Sequence, residues 1–224
     1  MKKIVNPLPG SQAALLKAKL KEVHDPEDKN DMIRLHRAIS WIKCAEEQTD
    51  NPDLKFITLW IAFNACYAKD DDHDHSLTEK ECFREFISKL VSYDHEEHFF
   101  NLLWHKFSGP VRLLIENQFA YKQFWDAQHD KSIDWQKLFE KSINKSRNYL
   151  SQHDIAGLLE VVLDRLYTVR NQLLHGGATY KSKLNRSQVK DAGEILGFLM
   201  PVIIDIMITN IDDDWGVINY PVIE

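Results

Sequence analysis

The stretch Phe56-Ile57-Thr58-Leu59-Trp60-Ile61-Ala62-Phe63-Asn64-Ala65 constrains this chain more than any other. At helical spacing it is apolar nearly all round, so it offers no face to water and must be enclosed by other helices. With only 8 Gly and 7 Pro in 224 residues, turns are few, which favours long helices over many short strands. The expectation is an all-α, up-and-down bundle of about eight or nine helices.

Punctuation along the chain sets the order. Helices are predicted at 11–23, 28–48, 54–69, 78–93, 99–107, 110–127, 132–150, 154–176 and 187–210. Ser11, Asp53, Thr78 (with Glu81 three residues on), Asp154 and Ser187 are the expected starts. Asp25-Pro26 and Asn51-Pro52 are breaks, and Pro201 should kink the last helix. Residues 212–224 are expected to run extended along the bundle or to pair with a partner chain. One domain, 1–224, with an inserted helical middle at about 78–150, is the simplest organisation.

Hydrophobic residues make up 44% and charged residues 28%, an ordinary globular balance that argues against disorder. The net charge of −6 means that any nucleic-acid footprint must be local. Cys44, Cys66 and Cys82 form no CxxC pair, which suggests reduced thiols and a cytoplasmic setting. Pro7, Pro9 and Gly10 interrupt any signal-peptide core after Met1-Lys2-Lys3. The apolar runs 56–68 and 198–208 are shorter than a bilayer requires, so no membrane association is expected.

Several polar groups invite a site reading. The loop Asp70 to Ser76 carries carboxylates and imidazoles but no metal-ligand spacing, and reads as a solvated loop. His95-Glu96-Glu97-His98 has its histidines three apart rather than four and reads as an acid-rich helix start. Asn64, alone in an apolar helix, reads as an amide satisfied by a neighbouring helix. The aromatic residues between 99 and 127 read as core.

Arg170-Asn171-Gln172-Leu173-Leu174-His175 closes the apolar helix 154–176, and Gly176-Gly177 stops it. Asn171 and His175 share a face, about 40° apart, whereas Arg170 lies about 140° from His175 and must reach round on its long stem. From Arg165 to Lys190 there is no Asp or Glu, while Arg165, Arg170, Lys181, Lys183, Arg186 and Lys190 are basic. With Tyr180 inside it to stack on a base, this window is a candidate RNA-binding surface. A solvated basic loop is the plainer alternative.

The six-residue stretch resembles the Arg-x4–6-His motif of HEPN domains, in which a polar residue is favoured directly after the arginine, here Asn171. Phe56 to Ala65 also looks like the early core helix of some branches of that family. The resemblance covers roughly 30–70 and 154–210 and leaves 78–150 unplaced. It implies a helical bundle, a homodimer, and a metal-independent, cofactor-free endoribonuclease of the toxin or antiviral-defence kind. An antitoxin or other partner protein is a further candidate on the same resemblance. Arg170, Asn171 and His175 would then be the catalytic set.

The chemistry fits those residue types. His175 can act as base or acid near neutrality. Arg170 keeps its charge and can hold phosphoryl oxygens bidentately. Asn171 can orient the imidazole or the phosphate, and a twofold dimer would supply a second histidine. Two other readings stay open: a non-catalytic HEPN-like module that binds RNA, nucleotides or a protein, and a helical interaction protein in which the motif is accidental.

Overall fold

The computed structural model describes residues 11–23, 30–68, 79–182 and 186–222. Among them every regular element is helical, and the fold is an all-α bundle. The helices are α1 (Gln12–Glu22), α2 (Asn30–Glu46), α3 (Pro52–Tyr67), α4 (Glu79–Tyr93), α5 (His98–Lys106), α6 (Arg112–Ile115), α7 (Lys122–His129), α8 (Trp135–Ser151), α9 (Ile155–Leu174) and α10 (Arg186–Thr209). All but the single turn α6 have eight residues or more.

Helix α3 is central, as its composition requires. Phe56, Leu59, Trp60, Ala62, Phe63 and Cys66 are buried, clasped between α2 and α10. Gly193 and Gly197 of α10 face α3, and a Cβ at either would make ordinary contact, 3.8 Å from Phe56 or Leu59. By length and composition, Ser187–Thr209 could cross a membrane, yet 61% of its apolar window is buried inside the bundle. It runs unbroken through Pro201. One cluster of buried apolar residues extends from Ala13 to Trp215 and takes in helices of the middle segment.

The cap at α3 differs from expectation. Asn51, not Asp53, accepts from the Leu54 N–H at 3.2 Å, and Asp53 is buried for another purpose described below. The predicted helix 110–127 is also wrong. The chain kinks at Gly109, whose backbone is not helical, just before Pro110; α6 stops after one turn, and Asn117 caps a short 3-10 turn at Gln118–Ala120. A proline without an N–H and an Asn that bonds its own backbone outweigh the apolar periodicity.

Buried Arg34 of α2 has no counterpart in the sequence reading. Its Nη1 donates to the Cys66 carbonyl at 2.8 Å and its Nη2 to the Gly216 carbonyl. The chain after α10 is thereby held on the bundle, with Trp215 and Ile218 buried and Arg37 donating to the Tyr220 carbonyl at 2.7 Å. The expectation of a segment running along the bundle holds as far as the Tyr220 carbonyl.

Candidate functional site

Helix α9 carries the motif and is fixed at both ends by its own sequence. Asp154 accepts from the Gly157 N–H at 2.9 Å, which starts the helix. Gly157 has no side chain to spare: a Cβ there would stand 2.7 Å from the Tyr149 ring, so the glycine lets α8 fold back closely onto α9. Leu158, Val162, Leu166 and Val169 are fully buried and hold the helix down along most of its length. Gly176 takes φ +72°, the left-handed stop, and its N–H donates to the Leu173 carbonyl at 3.4 Å.

The three motif residues emerge where that burial ends. His175 is the C-cap, its backbone N–H donating to the Asn171 carbonyl at 3.0 Å. Its imidazole is exposed, and among the described residues no hydrogen bond or ion pair engages it. Arg170 is half-buried and donates from Nη1 to Asn171 Oδ1 at 2.9 Å. Its guanidinium lies over the Tyr167 ring at 5.5 Å, and its Nε is buried without a hydrogen-bond partner. The arginine that had to reach round the helix is therefore turned toward the Asn171 side, the face that also bears His175.

Residue Gln172 ties this end to the rest of the bundle. It donates to the Phe119 carbonyl at 2.5 Å and accepts from buried Gln188 of α10 at 3.5 Å. Sequence reasoning misses both glutamines and Tyr167. The one signal is a glutamine inside an apolar helix, which says nothing about its partners.

The basic window divides. Arg165 is buried, donates to the Ile115 carbonyl at 3.3 Å and to Ser142 Oγ at 2.9 Å, and lies 4.3 Å over the Tyr121 ring. Burial pulls it down to about 10, and it is a core cross-link rather than a phosphate contact. Tyr180 keeps an exposed ring, but its hydroxyl accepts from Asn51 Nδ2 at 2.7 Å. Lys181, at φ +54°, donates its backbone N–H to the buried carboxylate of Asp53 at 3.1 Å while its side chain stays exposed. The loop after His175 is thus pinned to the start of α3. Lys190 is exposed and 4.0 Å from Glu194. Arg186 begins α10, and Lys183 lies outside the described residues, as does the Asp70–Ser76 loop.

The segment 95–98 behaves as a helix start. Asp94 accepts from the backbone N–H groups of His98 and Phe99, each at 2.8 Å, and His98 Nδ1 sits 2.9 Å from the same carboxylate. Asn64 is not satisfied as expected: its Oδ1 is buried without a hydrogen-bond partner. Among the described residues no group of three or more His, Cys, Asp or Glu could hold a metal ion.

No protein-family model, no curated protein and no solved structure matches this chain.

Proposed function

We propose that this chain is a metal-independent endoribonuclease that cleaves single-stranded RNA by attack of the 2′-hydroxyl on the adjacent phosphate. The observation that carries the proposal is the end of α9: an arginine oriented by Asn171 at 2.9 Å, followed by an exposed, unengaged histidine at the C-cap. The similarity of the stretch to the HEPN motif adds to it.

In this reading Arg170 neutralises the charge that builds on the phosphorane, where an oriented guanidinium contributes most. His175 removes the 2′-hydroxyl proton or protonates the leaving 5′-oxygen. The other proton transfer comes from His175 of a second copy, so the active form is a homodimer with its twofold axis beside the helix end. Asn171 keeps Arg170 aimed. No cofactor takes part, and the setting is cytoplasmic, in keeping with a toxin or defence role.

The test is cleavage of a single-stranded RNA in excess EDTA by the wild-type chain and by His175→Ala. Cleavage that leaves 2′,3′-cyclic phosphate ends, resists EDTA and disappears in the variant is the expected result. Cleavage that survives His175→Ala and stops in EDTA would overturn it.

A further inference from the structure

A basic stripe lies outside the window that the sequence suggested. On α8, Lys137, Lys141 and Lys145 follow one another at intervals of four residues and are all exposed. They share one face and rise about 6 Å apart along the axis. Between residues 135 and 151 the only carboxylate is Glu140, against those three lysines and Arg147. Arg147 is paired with Glu116 at 2.8 Å and Lys145 lies 5.0 Å from the Tyr149 ring, which leaves Lys137 and Lys141 with neither an ion pair nor a ring contact among the described residues. A chain of net charge −6 concentrates cationic charge here.

At the start of that stripe stands a group of aromatic rings. Trp135, the first residue of α8, meets Phe124 edge to face at 5.0 Å, and Phe124 meets Trp125 at 5.1 Å. Trp125 is 37% exposed, and Phe124 and Trp135 are half-buried. A ring group sealed in the core would show no such exposure.

This group is joined to the motif by one carbonyl. The Phe119 carbonyl accepts from Trp125 Nε1 at 2.8 Å and from Gln172 Nε2 at 2.5 Å, and Gln172 is flanked by Asn171 within the motif. Helices α8 and α9 run antiparallel, linked by the three-residue turn 152–154 and cross-linked by Arg165 to Ser142. The Trp135 end of α8 therefore lies at the His175 end of α9, and the lysine stripe leads away from it.

Building on the ribonuclease reading above, we infer that the α7–α8 face is the binding track for single-stranded RNA. Bases stack on Trp125 and Trp135 beside the motif, and Lys137, Lys141 and Lys145 follow the phosphates. Rings accept any base, so the track is tolerant of sequence. Of the carboxylates nearest its start, Asp126 is paired with Lys122 at 2.6 Å, while Asp130, bonded to Ser132 at 2.7 Å, and Asp134, the cap of α8, keep their charge.

The experiment measures binding of a fluorescent, unstructured 2′-O-methyl RNA, which cannot be cleaved, by the full chain. Cleavage of ordinary RNA is assayed in parallel. Lys137→Glu/Lys141→Glu should weaken binding about ten-fold and flatten the dependence of log K on log salt by about 1.4, or 0.7 for each phosphate no longer neutralised. The double variant should fold, since both side chains are exposed and a Glu at 137 stands in the first turn of the helix capped by Asp134. Trp125→Leu should weaken binding roughly ten-fold with the salt slope unchanged, and Trp125→Phe should restore most of it. Unchanged affinity and slope in the double variant overturn the track while leaving the ribonuclease reading intact. Stripe-dependent binding with no cleavage overturns the ribonuclease reading and keeps the track. Absence of binding by the wild-type chain, or competition by polyglutamate equal to that by RNA, overturns the track.

Discussion

Two arginines of α9, five residues apart, occupy opposite kinds of site. Arg165 is enclosed: a carbonyl, a hydroxyl and two aromatic rings surround its guanidinium. Arg170 is half-buried, has one oriented bond to Asn171, and keeps an Nε that no protein acceptor meets. In the sequence both belong to the same acid-free basic window. A cation whose hydrogen bonds are filled by the fold stabilises the fold. Arg170 has one donor aimed by Asn171 and another left buried and unfilled, so the fold uses its guanidinium less completely. The difference lies in what α6 and α8 bring alongside Arg165, which the local sequence does not contain, whereas the partners of Arg170 are its own neighbours on α9.

The largest expected effects break the pair apart by function. Arg170→Ala should lower RNA cleavage by about 10³-fold, or about 4 kcal/mol of transition-state stabilisation, with little change in denaturant midpoint. Arg170→Lys should recover only part, because a point charge does not reproduce the planar fork. Single-turnover rates measured beside unfolding curves check this. A variant that cleaves normally but is strongly destabilised would make Arg170 a second Arg165.

Next in size is the converse. Arg165→Ala should destabilise the chain by about 2–4 kcal/mol, since it removes a packed stem and leaves the buried Ile115 carbonyl without its donor. Arg165→Met should cost less, because it keeps the stem and relieves the charge of its desolvation. Urea unfolding decides the matter, and cleavage per folded molecule should be unchanged in both. If Arg165→Ala is as stable as wild type and loses RNA affinity, the division of the basic window is wrong.

Arg34 extends the comparison to the core. It donates to the carbonyl of Cys66, whose thiol burial pushes up to about 12 from 9 although the Arg34 charge opposes this. A raised folded value means stability that is complete below pH 9 and declines as pH rises toward 12, because only the unfolded chain then ionises readily. The loss should approach about 1.4 kcal/mol per pH unit from about one unit above that lower limit. Stability measured from about pH 8 to about pH 10.5 should fall less steeply in Cys66→Ala, and equal slopes would remove the thiol as the cause.

Much of the fold was legible because it follows from periodicity and breakers. Residues 56–65 had to be central, Asp154 and Gly176-Gly177 delimited the motif helix, and these features are local. Where a short-range polar preference opposed periodicity, at Gly109-Pro110 and Asn117, the sequence reading failed. At the site, the exposed end of the motif was readable from its stop signal. The partners were not: Tyr167 beneath Arg170, the Gln188–Gln172–Phe119 chain, and the contacts of Asp53 and Asn51 with residues near 180 join positions that are mostly far apart in sequence. The lysine stripe of α8 was present in the sequence at regular spacing, but only the antiparallel return of α9 places its start beside the motif.

The smallest effect concerns Tyr180, which combines both kinds of role in one side chain. Its hydroxyl accepts from Asn51 while its ring is 58% exposed. Tyr180→Phe removes only the hydrogen bond and should cost about 0.5–1 kcal/mol or less, given that the bond is exposed. It should leave RNA affinity unchanged, because the ring that would stack on a base remains. Tyr180→Leu loses both, and any further drop in affinity then measures stacking alone. The amide of Lys181, donated to Asp53, holds the loop in either variant, so its exchange with solvent should stay slow in both. Fast exchange at Lys181 in Tyr180→Phe would show that the tyrosine hydroxyl, rather than the buried carboxylate, fixes the loop that follows His175. The residue would then belong with Arg165 as part of the scaffold.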